Sequence, residues 1–283
     1  MKLTILGTGN AQAVECYNTC FLLEEEKQYF MVDAGGGNTI LGRLREAGAD
    51  WREVRDIFVT HKHIDHILGI VWMMRMICQN MKQGKYEGEA RIYAHREVIG
   101  ILQKLGEMLL QKDQADYLRV QTLEERAESA EMIREETCLR LIIVEDGQTC
   151  EIIGHPVTFF DIHSTKAQQY GFTIALGGGE RLTCCGDEPY KEQEEQYARG
   201  SKWLMHEAFC LHGQADIFRP YEKHHSTVRD AAMLAAQLGV ANLILYHTED
   251  HDMEHRKERY TAEGRQYFGG GLYVPEDLEV FEL

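Results

Sequence analysis

A chain of 283 residues, 44% hydrophobic and 27% charged, has the composition of a packed globular protein and is long enough for one large domain. Its 30 basic and 46 acidic side chains give a formal net charge of −16, which opposes binding of large nucleic acids, since that binding draws on Lys and Arg to neutralise phosphates. No run approaches the ~18 apolar residues that a membrane-spanning helix needs. The opening MKLTILGTGN meets Thr4, Gly7 and Asn10 too early for a secretory signal, so a cytoplasmic protein is expected.

In chain order, residues 3–6, 20–24 and 29–33 read as strands, bounded by Gly7 and Gly9 on one side and by Gly35, Gly36 and Gly37 on the other. Residues 38–47 read as a helix, with Ile40, Leu41 and Leu44 on one face and Gly48 as its stop. A strand at 57–60 runs directly into His61, at the kind of strand end where α/β proteins place chemistry. From Ile67 to about residue 136 the character is mainly helical, with a short strand at 90–93 and the next helix-like stretches at 97–110 and 123–136. Residues 97–136, with Ile101, Leu105, Met108 and Leu109 at helical spacing, read as a helical insertion in a single domain over 1–283. Strands return at 141–144, 157–162, 171–176, 181–185, 203–207, 243–246 and 278–282, with helices near Glu192, at 226–238 and at about 255–266. Strands in both halves, each followed by helix, predict two sheets covered by helices.

The eight cysteines show neither a C-x-x-C pair nor the even spacing of a disulfide framework, and read as buried small hydrophobes. The adjacent Cys184 and Cys185 precede Asp187 and raise the question of thiol ligation, but a metal site here fills without them.

The run His61-Lys62-His63-Ile64-Asp65-His66 carries three imidazoles and one carboxylate within six residues, each a ligand type for first-row metals. A solvated polar loop is the bland alternative, but four such side chains at a strand end need a reason beyond solubility. Residues two apart on an extended segment point the same way, so His61 and His63 can share one ion while Asp65 and His66 face a second. Further ligands must come from elsewhere. His163, Asp187 and His247 each follow a hydrophobic strand and can gather at the same sheet edge, although a strand-end His read alone is more often a structural hydrogen-bonding group.

The chain resembles the metallo-β-lactamase superfamily, and within it the ribonuclease Z branch. The resemblance rests on ILGTGNA with Tyr17-Asn18-Thr19, VDAGGG at 32–37, THKHIDHILG at 60–69, FFDIHS at 159–164, CCGDE at 184–188, LMHEAF at 204–209, HST at 225–227 and ILYH at 244–247. It implies an α/β four-layer αβ/βα sandwich and a site for two divalent metal ions, Zn2+ with Mn2+ or Fe as alternatives. His61, His63 and His163 would hold one ion, Asp65, His66 and His247 the other, and Asp187 would bridge. Asp65 would also orient or deprotonate the attacking water, and His225 assisted by Glu207 would serve the leaving oxygen. The alternative for His225 is an N-cap contact at the following helix.

Two features depart from the branch. Residues 164–186 leave room for a hairpin but not for the long tRNA-gripping arm, and His247 is followed by Thr248-Glu249-Asp250-His251-Asp252 where the branch tends to carry Ser and a basic residue. That acidic run reads either as a solvated loop or as a selector of a cationic or sugar-like group. The expected activity is therefore hydrolysis of a small phosphodiester or nucleotide. The alternatives are tRNA 3′ processing, another ester, thioester or lactone hydrolysis, or a non-catalytic metal-binding module. Branch relatives often dimerise, which sets the expectation of a homodimer. A dinucleotide-binding loop is a poor fit, because Gly7-Thr8-Gly9 lacks the third glycine and leads to no helix.

Overall fold

The computed structural model describes residues 1–128 and 136–283. Its strands are β1 (Lys2–Gly7), β2 (Cys20–Glu25), β3 (Gln28–Val32), β4 (Val54–Val59), β5 (Glu89–Ala94), β6 (Leu118–Thr122), β7 (Cys138–Ile143), β8 (Thr149–Ile152), β9 (His155–Asp161), β10 (Tyr170–Gly177), β11 (Glu180–Cys184), β12 (Trp203–Glu207), β13 (Asn242–Tyr246), β14 (Gly271–Tyr273) and β15 (Val280–Glu282). One sheet has eight strands in the order β15-β1-β2-β3-β4-β5-β7-β6, and the other has seven in the order β14-β13-β12-β11-β10-β9-β8. The helices are α1 (Thr39–Glu46), α2 (Ile64–Lys82), α3 (Arg96–Leu109), α4 (Lys112–Ala115), α5 (Leu123–Glu128), α6 (Glu195–Ala198), α7 (Ala215–Phe218), α8 (Val228–Leu238) and α9 (Met253–Gly264).

Alternation along the strands builds the layers, because successive side chains face opposite sides of a sheet. Leu3 and Ile5 of β1, Phe30 and Val32 of β3 and Phe58 of β4 face Phe159, Phe172, Met205 and Ile244 of the second sheet in one apolar cluster. Phe172 meets Phe30 and Phe58 edge-on, at centroid distances of 5.5 and 5.8 Å, the geometry that aromatic quadrupoles favour. The intervening residues Met31, Ile57 and Val59 turn outward to Ile67, Ile70, Met74 and Ile77 of α2. On the far side Leu204, Leu243 and Leu245 turn outward to Val228, Ala231 and Ala235 of α8 and Tyr260 of α9. The result is a four-layer αβ/βα sandwich, as the sequence predicts. Each fully buried Leu, Ile or Phe in these clusters contributes about 1.5–3 kcal/mol relative to exposure.

Two details differ from the sequence reading. The stretch 97–136 is not wholly helical: β6 lies within it and pairs in parallel with β7, from Leu118 opposite Leu139 to Thr122 opposite Ile143. Its five residues, LRVQT, are half exposed with no buried position, so an edge strand lacks the apolar alternation that reveals central ones. Of the helix expected at 123–136, the described residues show α5 over Leu123–Glu128, and residues 129–135 lie outside the described part. Helix α2 begins at Ile64 instead of Ile67, since extended His63 (φ −64°, ψ 149°) is its N-cap and Asp65 sits in its first turn, where the helix dipole favours a carboxylate. Among the described residues no helix is long and apolar enough to cross a membrane.

Candidate metal centre

Strands β3, β4 and β5 run parallel, as do β11, β12 and β13, so their carboxyl ends gather at one edge of the sandwich. Asp33 follows β3 and His61 follows β4, while Asp187 lies just past β11, Glu207 ends β12 and His247 follows β13. Asp33 and His247 hold left-handed backbone, at φ of 56° and 55°, a conformation that costs a non-glycine residue energy and is concentrated at functional sites. Helix α2 is brought onto the turn after β3 by Gly69, whose amide donates to Gly35 O at 2.9 Å. A Cβ at position 69 would stand 1.8 Å from Ala34 O, so no larger residue allows the approach that seats Asp65 and His66.

Two triads of donor atoms result, His61–His63–Asp187 and Asp65–His66–His247, each with its atoms within 4.8 Å of one another. His61 Nε2 and His63 Nδ1 are 2.8 Å apart, as residues two apart on extended chain should be. Asp187 Oδ2 lies between the triads, 3.6 Å from His61 Nε2, 3.5 Å from His66 Nε2 and 3.4 Å from His247 Nε2. The remote nitrogens are anchored. Thr60 Oγ1 donates to Asp33 Oδ2 at 2.7 Å and lies 3.0 Å from His61 Nδ1, while His66 Nδ1 lies 2.7 Å from the same Asp33 oxygen. Protons on both Nδ1 atoms satisfy these contacts and leave both Nε2 lone pairs turned inward, the arrangement in which a carboxylate orients metal-binding histidines.

The charge balance fits a cation. Burial holds the His61 imidazole well below its ordinary range despite Asp187. Burial also opposes charge on His66, yet Asp65 and Asp33 raise it well above its usual value. The Asp65 and Asp187 carboxyls are likewise desolvated, but the surrounding imidazoles, with His66 foremost at Asp65 and His61 at Asp187, keep both below the usual carboxylate range. His66 Nε2 and both ring nitrogens of His247 are buried with no hydrogen-bond partner, although buried polar atoms are normally satisfied. These inward-facing nitrogens beside carboxylates form a donor set able to hold a divalent metal.

Of the residues the sequence singles out, six come together as ligand atoms, with His61, Asp65, His66, Asp187 and His247 buried and His63 half-buried. His163 does not join them. Its side chain is 47% exposed, with Nδ1 3.8 Å from Asp161 Oδ2, and its φ of 55° turns the chain sharply after β9. His225 is buried against Phe209, the rings parallel within 8° at 4.9 Å, with Nδ1 3.7 Å from Glu207 Oε2. It is not the helix cap, because Thr227 caps α8 in a reciprocal pair with Asp230. Burial first, then His247, lowers the His225 imidazole to about 3, and burial raises the Glu207 carboxyl well above its usual range, so both are held uncharged. Cys184 contacts Tyr246 Oη at 3.4 Å and belongs to neither triad.

The acidic run after His247 is tied to its neighbours by hydrogen bonds and ion pairs. Asp250 Oδ2 accepts from the amides of Val14 and Glu15 at 2.6 and 2.8 Å, Glu249 accepts from His251 N, and Asp252 binds His255 and Arg259 of α9. It clasps the loop that follows Asn10, Ala11 and Gln12, three residues that line a cavity of about 650 Å³ over the triads. Lys62, Lys166, Lys223, Phe209 and His225 also line that cavity. Sequence reasoning missed Asp33, although VDAGGG contains it, because nothing in a strand-end aspartate says which imidazole it will meet.

Residues 1–266 match the family model of anti-Pycsar protein Apyc1. The chain belongs to that family. A curated ribonuclease Z from Methanothermobacter thermautotrophicus is 29% identical to this Apyc1-family chain over 273 residues, covering 87% of it and 86% of the relative. Among solved structures, the metallo-β-lactamase fold protein YhfI from Bacillus subtilis superposes with a TM-score of 0.73 at 17% identity, covering 99% and 98% of the two chains. Zn2+-bound PqqB from Methylobacterium extorquens superposes with a TM-score of 0.70 at 12% identity over 100% of both. The metallo-β-lactamase fold read from the motifs is thus found along the length of the chain, and relatives named ribonuclease Z match most of it.

Proposed function

We propose that the protein is a dinuclear metal-dependent phosphodiesterase acting on a small phosphodiester or nucleotide. The observation that carries this reading is Asp187 Oδ2, within 3.4 to 3.6 Å of Nε2 of His61, His66 and His247, where one carboxylate can serve both triads. Two divalent ions, zinc in the first instance, would supply a nucleophile from water near neutral pH and charge stabilisation for attacking and leaving oxygens.

The chain's own residues supply the rest. Asp65, at the cavity wall, accepts a hydrogen bond from the attacking water and orients it toward phosphorus. His225, held uncharged by burial, donates an N–H to the leaving oxygen, and the Glu207 carboxyl, 3.7 Å from its Nδ1, can position the ring by closing that distance. Glu207 is itself fixed by accepting from the amide of Ser226. His163 would join His61 and His63 as a third imidazole only by turning inward from its exposed position.

Relatives named ribonuclease Z raise tRNA 3′ processing as a second reading. The smaller diester is favoured by the net charge of −16 and by residues 164–186, which form little more than the antiparallel β10–β11 hairpin. The test is hydrolysis of bis(p-nitrophenyl) phosphate by metal-loaded protein and by its Asp65→Ala variant. Cleavage that needs Asp65 supports the reading. No cleavage by fully loaded wild-type protein overturns it.

A further inference from the structure

On a chain of net charge −16, the cavity over the triads is lined by three lysines, Lys62, Lys166 and Lys223. Lys62 is neutralised by Glu97 at 2.6 Å. The other two have no carboxylate partner among the described residues and are held by uncharged groups. The Lys166 ammonium donates to the backbone carbonyl of Lys223. The Lys223 ammonium sits 4.9 Å from the centroid of Phe209, the ring that stacks on His225. Their loops touch a second time, with Thr165 Oγ1 3.2 Å from His224 Nδ1. Both ammonium groups are therefore fixed at the mouth before any substrate arrives, and neither has spent its charge on an acid.

We propose that Lys166 and Lys223 hold a non-bridging oxygen of the scissile phosphoryl group, and so make this site select an anionic phosphodiester over a neutral ester, thioester or lactone. This rests on the phosphodiesterase reading above and adds the residues that enforce it. The position of Lys166 supports it. Lys166 lines the same cavity as His63 of the first triad and His225 beside the second. A cation on the wall of that cavity faces the space in which the reacting group must sit. An ammonium is a compact point charge suited to phosphate oxygens. Holding it by a carbonyl or an aromatic face leaves it fully charged and reduces the ordering cost on binding. A neutral carbonyl substrate would gain little from either group.

The test uses the full-length metal-loaded protein, its Lys166→Met and Lys223→Met variants, the double Met variant and the double Arg variant. KM and kcat are measured for bis(p-nitrophenyl) phosphate, and the dissociation constant of 4-nitrophenyl phosphate is measured by calorimetry. The double Met variant is expected to raise KM and weaken monoester binding by roughly 10- to 100-fold, the scale of charge-assisted hydrogen bonds, with metal content unchanged. Each single variant shows part of the effect, and the double Arg variant keeps most of the wild-type affinity. Unchanged KM and unchanged monoester binding in the double Met variant overturn the proposal. If the wild-type protein fails to cleave the diester, it is the phosphodiesterase reading that falls, and the calorimetry still decides whether the lysines hold a phosphoryl group. The single variants carry the test if the double variant does not fold.

Discussion

Asp33 Oδ2 lies 2.7 Å from His66 Nδ1, and the same oxygen accepts from Thr60 Oγ1, which in turn contacts His61 Nδ1. One carboxylate outside both triads therefore sets the tautomer of a histidine in each. Asp33→Asn is nearly isosteric but sets an NH2 donor either against the His66 Nδ1–H or against the Thr60 amide N–H. Metal affinity should fall by about 10–100-fold, the usual cost of losing such a partner, as read by chelator competition, with the far-ultraviolet circular dichroism unchanged. An affinity equal to wild type would remove Asp33 from the account.

Gly69→Ala tests how α2 delivers Asp65 and His66. The added methyl meets backbone, Ala34 O at 1.8 Å, with no flexible side chain to give way. Overpacking of this kind costs about 1–3 kcal/mol, and the helix can relieve it only by moving its first turn away from Asp187. A lower melting temperature together with reduced metal content is expected. Normal metal binding would mean that the close approach is not what seats the ligands.

His163→Ala addresses the one expected ligand that stands outside the triads. If its imidazole turns inward to join His61 and His63, the variant should bind one ion with wild-type affinity and the other weakly, giving two separate steps in a zinc titration. A single tight step accounting for two ions would assign the exposed position of His163 to its working state.

A pH effect is expected away from the metal centre. Burial raises Glu194 from 4.5 to about 8, and its Oε2 has no hydrogen-bond partner. The unfolded chain then releases this proton near its ordinary value while the folded chain keeps it to about pH 8, so stability falls as pH rises through that window. Glu194→Gln removes the ionisation and keeps an acceptor for the Lys191 amide. Its gain in melting temperature should be small at about pH 5 and larger at about pH 8.5. The opposite trend would contradict a desolvated carboxyl.

The sequence made the architecture legible wherever residues are buried on both sides or alternate cleanly. WLMHE was read as β12 at its observed limits, and the two sheets and their helices follow from that pattern repeated. Edge elements were not legible: β6 is half exposed and β8 and β14 are short, so their pairing comes from neighbours and not from their own composition. In the site, His61, His63, Asp65 and His66 announced themselves by local spacing, while Asp187 and His247 were legible through strand-end position and family resemblance. Asp33, the clasp made by Asp250 and the two unpaired lysines were hidden because each takes its meaning from a partner remote in sequence. The partners of the acidic run were hidden in the same way, since Glu249, Asp250 and Asp252 bind backbone amides and helix side chains.

The central claim is that Asp187 joins two ion-binding triads into one centre. The measurement that tests it most directly is zinc stoichiometry by elemental analysis on purified, zinc-equilibrated protein and on its Asp187→Ala variant. The account predicts about two zinc ions per chain for the wild-type protein and loss of tight binding at both positions when the shared carboxylate is removed. One ion or none in the wild-type protein, or a full complement retained by the variant, would contradict it.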